Sequence, residues 1–173
     1  MASLREIRRK IKSVKSTEQI TKAMKMVAAA RMRRSQMSIL SARPFASKME
    51  RMVRELALLE MRADLEAGEK VHIHPFFDRR PKEGAELLIL VTGDKGLCGA
   101  FNSNILRAAI EWLRSRKGRK SYCVAVGRKG RDFVRRLKGV DVEVLQELVG
   151  VFPKITFTHA ELVGKSVIDA YLD

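Results

Sequence analysis

The sequence predicts an α/β protein: a long amino-terminal coiled-coil helix followed by a small parallel-sheet, Rossmann-like domain, apparently truncated. Three observations predict it. Residues 3–59 contain no glycine and place apolar side chains at alternating steps of three and four, the period of about 3.5 residues of a left-handed coiled coil. From Glu86 onward, short apolar runs alternate with glycine turns and amphipathic stretches, the pattern of strand–helix–strand units. Between them, Gly68, His72-Ile73-His74-Pro75 and Arg79-Arg80-Pro81-Lys82-Glu83-Gly84 are linker chemistry. The predicted division is 1–60 helix, 61–85 linker and 86–173 α/β domain.

The helix opens on Ser3, followed three residues later by Glu6, a capping box. Alternating steps from Leu4 visit sixteen positions, of which twelve are apolar: Leu4, Ile7, Ile11, Val14, Ala28, Met32, Ile39, Ala42, Ala46, Met49, Val53 and Leu56. The polar exceptions are Glu18, Thr21, Lys25 and Ser35, and near them Ile20, Met24 and Val27 carry the apolar character to another face. Two readings stand: a local stutter in the coil, or a segment that meets something besides the coiled-coil partner. Pro44 removes the bond to the Leu40 carbonyl and predicts a kink. The seam resumes at Ala46, so the helix continues. A stripe of this length requires a second helix to cover it. Residues 100–173 carry only short helical patterns, so the partner is another copy, another protein or further chain.

Glu86–Val91 reads as a buried strand, and Thr92–Gly99 as a glycine-rich turn. Asn102 or Ser103 caps a helix running through Ile105, Leu106, Ala109, Ile110 and Leu113, which Lys117-Gly118 ends. Tyr122–Val126 is a second strand, Gly127–Leu137 a turn with a short basic helix, and Val140–Leu145 a third strand. Thr158 opens a last amphipathic helix through Leu172. This order implies right-handed crossovers and a parallel sheet with helices on its faces. The chain stops where a further strand is due, and it reads as a piece of a larger domain.

Charge narrows the partners. The chain carries 35 Lys and Arg against 20 Asp and Glu, a net +15 over 173 residues; residues 1–40 hold 11 basic side chains and 2 acidic ones. Such a field calls for an acidic protein, nucleic acid or an anionic membrane. Residues 1–40 contain no aromatic side chain, and Arg8, Arg9 and Lys10 share turns with Ile7 and Ile11. Neither feature suits single-strand stacking or a basic-region zipper, so no specific nucleic acid is predicted. A basic coiled-coil protein binding nucleic acid or anionic membrane is the alternative reading. The longest clean apolar run, Leu87–Val91, is far short of the roughly 18 residues of a membrane span. The first residues do not read as a secretory signal. Cys98 and Cys123 sit in apolar surroundings, read as small buried thiols, and suit a reducing compartment.

No active site emerges. Gly93-x-x-Gly96-x-x-Gly99 fits neither the dinucleotide fingerprint nor the phosphate loop, so its glycines read as a tight turn. Cys98 has no motif-bearing histidine near it, and His72 and His74 lack a third ligand. Gly127-Arg128-Lys129-Gly130-Arg131 reads as an exposed basic turn. No catalytic, metal or cofactor-binding residue is assigned, and no cofactor is expected.

Two stretches carry a resemblance. Ile20-Thr21-Lys22-Ala23-Met24-Lys25-Met26-Val27-Ala28-Ala29-Ala30-Arg31-Met32-Arg33-Arg34-Ser35-Gln36, continuing to Ser41-Ala42-Arg43-Pro44-Phe45, closely resembles the amino-terminal helix of the F-type, proton-translocating ATP synthase gamma subunit. Thr92-Gly93-Asp94-Lys95-Gly96-Leu97-Cys98-Gly99-Ala100-Phe101-Asn102 is similar to that family's glycine turn. The resemblance implies a non-catalytic rotor-shaft subunit that couples rotation driven by proton flow to conformational change in the catalytic ring. It implies that residues 1–60 are half of an antiparallel coiled-coil shaft whose other half is a carboxy-terminal helix missing from this chain. The implied partners are the catalytic and non-catalytic ring subunits, the epsilon subunit and the membrane rotor ring. Ile20, Met24 and Val27, with Lys22, Lys25, Arg31, Arg33 and Arg34, fall in the matching segment as candidate partner contacts. The expected location is peripheral, on the cytoplasmic side of a bacterial inner membrane, with an organelle inner membrane as the alternative.

Overall fold

The computed structural model describes residues 3–68, 74–77, 84–116, 118–152 and 154–172. Two compact units divide near residue 71, and each is described by itself.

The first unit is a single α-helix, α1, Leu4–Ala67, roughly 95 Å long at about 1.5 Å per residue. Its start is the predicted capping box: Glu6 N–H donates to Ser3 Oγ, and Ser3 N–H donates to the Glu6 carboxylate. The helix passes through Pro44 without ending. It also runs through Met61–Ala67, which the sequence reading gave to the linker. No glycine or proline interrupts that segment, and Arg62, Ala63, Leu65, Glu66 and Ala67 favour helix. Gly68 stops it in the left-handed conformation, φ 67°, the usual glycine terminator. The remaining linker residues 69–73 and 78–83, including His72 and the Arg79–Pro81 run, lie outside the described residues.

The second unit begins with a short 3₁₀ turn, Pro75–Phe77, followed by β1 (Glu86–Val91), α2 (Phe101–Ser115), β2 (Ser121–Val126), α3 (Arg128–Val134), β3 (Val142–Leu148) and α4 (Phe157–Leu172). The three strands are parallel in the order β1-β2-β3. β2 is central and almost wholly buried. On one face Leu90, Cys123 and Ala125 pack with Ala109 and Ile105 of α2 and with Phe133 and Val134 of α3. On the other, Val124, Val126 and Leu148 meet Leu145, Val151 and Val163 of α4. Burial of the Cys123 thiol disfavours its thiolate and pushes its pKa up to about 11.

Three expectations need correction. β1 is an edge strand, not a buried one: Leu90 is buried, but Ile89 and Val91 are exposed on the face that α4 packs against farther along the sheet. β3 starts and ends later than predicted. A bulge opposite Cys123 and Val124 skips Leu145, so Val144 faces one side and Leu148 the other; this shift hides Gln146 and Glu147 as strand residues. α4 starts at Phe157, with His159 Nδ1 accepting the Thr156 N–H at 3.0 Å.

Leu90, 2 % exposed, touches both flanking helices through the core it shares with them. Leu90→Ala is expected to lower stability by about 3 kcal/mol, the usual cost of a core leucine truncation. Denaturant melts followed in the second unit check this.

Candidate functional site

Two regions concentrate surface that the fold does not use for itself. The first is α1. All twelve seam residues, Leu4 through Leu56, are exposed. Ile20, Met24 and Val27 are also exposed, at 58, 49 and 51 %. At about 100° per residue, these three form a patch roughly a third of a turn around the helix from the seam. Lys22, Lys25, Arg31, Arg33 and Arg34 are exposed along the same stretch. Ion pairs on α1 appear further on, at Arg54–Glu50 (2.8 Å) and Arg51–Glu55 (3.0 Å). The structure thus displays both predicted sets on one rod, without a binding partner to read them against.

The second region is the carboxyl edge of the sheet, where the glycine turn meets α3 and the β3–α4 loop. Asp94 Oδ1 accepts the Arg128 N–H at 2.9 Å and the Gly150 N–H at 3.1 Å. Thr92 Oγ1 accepts the Gly130 N–H at 2.7 Å and donates to the Val126 carbonyl at 3.3 Å. Lys129 N–H donates to the Gly93 carbonyl. Gly127 lets these segments close: a Cβ there would lie 2.1 Å from the Thr92 carbonyl oxygen, and its φ is 96°.

Partial burial pushes the Asp94 carboxyl upward. The N–H groups of Gly150 and Arg128, a weaker contribution from Phe152 and the Arg128 charge outweigh it, so the pKa lies below the ordinary carboxylate value. The N–H groups of Arg128, Gly130 and Gly150 at this edge already serve the chain's own carboxylate and hydroxyl.

The turn also overturns two local expectations. α2 begins at Phe101 with Ala100 before it and no side-chain cap. Asn102 instead reaches back, its Oδ1 accepting the Gly93 N–H at 2.9 Å and its Nδ2 donating to Cys98 Sγ at 3.0 Å. Cys98 is exposed, not buried. Leu97 adopts φ 62° and is 94 % exposed, turning this part of the loop outward. The cross-tie through Thr92, Asp94 and Gly127 escaped the sequence reading, because its partners lie 34 to 56 residues apart. Its one local signal is a strand followed by Thr-Gly-Asp.

A helix with an exposed apolar seam, in a chain that also holds a compact α/β unit, is the pattern of a subunit of a larger assembly. The family model described as ATP synthase matches residues 3–173, and the chain belongs to the ATP synthase gamma chain family. It is 36% identical over 173 residues to an "ATP synthase gamma chain" of Elusimicrobium minutum (strain Pei191), covering 99% of this chain and 57% of that protein. It is 44% identical over 164 residues to one from Herpetosiphon aurantiacus, covering 90% and 53%. A third, from Pelotomaculum thermopropionicum, is 42% identical over 172 residues, covering 99% and 55%. The chain spans a little over half the length of these relatives. Among the described residues, no helix is long and apolar enough to cross a membrane.

Asp94 also yields a pH prediction. Its folded pKa is depressed, so its stabilising contribution is present above the unfolded value near 3.8 and is lost as pH falls through the folded value. Asp94→Asn should flatten the acid limb of the second unit's stability below about pH 4. Thermal melts from pH 5 to pH 2 give the comparison with the parent chain.

Proposed function

We propose that this chain forms the amino-terminal part of a non-catalytic central shaft, coupling rotation driven by proton flow to conformational change in the catalytic ring of ATP synthase. The observation that carries this reading is the exposed seam of α1 in a chain of gamma-chain ancestry. In this reading α1 is one half of an antiparallel coiled coil, the residues from Gly68 to 85 connect, and 86–173 form the α/β domain. The other half is a carboxy-terminal helix, for which the greater length of the relatives leaves room. The partners are the catalytic and non-catalytic ring subunits, the epsilon subunit and the membrane rotor ring, with the assembly peripheral on the cytoplasmic face of a bacterial inner membrane. The chain itself carries no active site; nucleotide chemistry belongs to the ring.

The two surfaces of α1 divide the work by magnitude. Burying one large aliphatic side chain contributes roughly 1.5–3 kcal/mol, so the seam residues together hold the shaft firmly to its partner helix. Ile20, Met24 and Val27, with the cations Lys22, Lys25, Arg31, Arg33 and Arg34, face the ring in this reading. Exposed ion pairs contribute only about 0–1 kcal/mol each, which suits contacts that break and re-form as the shaft turns. Because the shaft is asymmetric, each orientation offers a different surface to each catalytic subunit. Differential contacts of that kind shift a subunit between conformations.

Met24→Lys combined with Arg33→Glu and Arg34→Glu tests the assignment in a reconstituted complete complex. The expected result is a severalfold fall in proton pumping per ATP hydrolysed, with assembly intact. Unchanged coupling in an assembled complex would remove these residues from the contact surface.

A further inference from the structure

We propose that the concavity at the amino-terminal edge of the sheet, between the α2–β2 turn and the turn before β3, binds a phosphate group. The group could belong to a soluble phosphate or a phospholipid headgroup. The segment Arg114-Ser115-Arg116-Lys117-Gly118-Arg119-Lys120 concentrates five cations in seven positions. Arg114, Arg116 and Arg119 all line the concavity.

The Arg116 guanidinium is held in advance. Arg116 lies over the Trp112 ring, 4.0 Å from its centroid. Its Nη1 donates to Ser115 Oγ at 2.9 Å and to the Trp112 carbonyl at 3.3 Å, and its Nε pairs with Glu86. A guanidinium fixed in this way loses less freedom on meeting an oxyanion than a loose lysine does. Three guanidinium residues around one concavity suit a multiply charged phosphate better than a singly charged carboxylate.

The backbone helps. Gly118 and Gly139 line opposite turns, and the space where a Cβ would stand is open at both. The Ser121 residue, 2 % exposed, also lines the concavity. Opposing charge is limited. Glu86 is engaged by Arg116, and Asp141 is the carboxylate in the lining. Lys120 is held by Glu143 at 3.1 Å. The carboxyl edge of the same sheet, the usual ligand side of an α/β fold, by contrast engages three of its N–H groups with Asp94 and Thr92.

Trp112 is the single tryptophan of the chain and contacts Arg116, so its emission reports directly on occupancy. The full chain is titrated with inorganic phosphate at constant ionic strength set by chloride, and in parallel with phosphatidylglycerol and phosphatidylcholine vesicles. A saturable change with phosphate identifies a soluble ligand. A change with phosphatidylglycerol vesicles alone, absent with phosphatidylcholine, identifies a headgroup.

Arg114→Gln with Arg119→Gln should weaken the responding probe by at least about tenfold, the loss expected on removing charged hydrogen bonds. Arg107→Gln, on the exposed face of α2, should leave affinity unchanged. Asp141→Asn should tighten binding, and this arm still decides if the double variant does not fold. The proposal is overturned if neither probe saturates, if Arg107→Gln weakens binding as much as the double variant, or if Asp141→Asn does not tighten it.

Discussion

A single helix that carries its own length in uncovered apolar seam cannot be the end state of a protein in water, and the rest of the account depends on that constraint. The twelve seam positions from Leu4 to Leu56 repeat with the period of a supercoil, and every one of them is exposed in this chain. Sequence determines the rod through absent glycine, strong helix formers and the Ser3–Glu6 box. Packing of the rod falls to whatever second helix meets it. The proposed function follows directly, because an asymmetric rod is a natural device for presenting different faces in different orientations.

The second unit is built on another principle. Its parallel strands are held from two faces by α2 and α3 on one side and α4 on the other. Its carboxyl edge is closed by tertiary hydrogen bonds from Thr92 and Asp94. Those bonds use the Arg128, Gly130 and Gly150 N–H groups within the chain, and Gly127 is required for the approach. This edge holds three loops in fixed positions. The amino-terminal edge is the contrasting case, where Arg114, Arg116 and Arg119 line one concavity.

Much of this was legible in the sequence, and the parts that were not share a cause. α1 was readable because composition, capping and seam period agree over fifty residues. Its final turns were missed because Met61–Ala67 lacks a regular seam, although nothing in that stretch breaks a helix before Gly68. The element order of the second unit was readable from alternating runs and turns. The bulge at Val144–Gln146 was hidden, since a one-residue slip reverses which side chains look apolar. Cys98 read as buried because its neighbours are small and apolar, whereas the positive φ of Leu97 swings the turn outward. Asp94 was invisible as a tie because its partners are distant in sequence. The candidate contacts Ile20, Met24 and Val27 were legible as an off-seam patch, and only a binding partner gives that patch meaning.

Weak exposed charges and a strong apolar seam give the shaft reading its energetic logic: one surface holds and the other slides. Amide hydrogen exchange along α1, compared between this chain alone and the complete ATP synthase, tests the central claim most directly. The account predicts fast exchange through Leu4–Leu56 in the isolated chain and protection larger by orders of magnitude in the assembled complex. Equal exchange in both states would contradict it, because the seam would then have no helix to cover it.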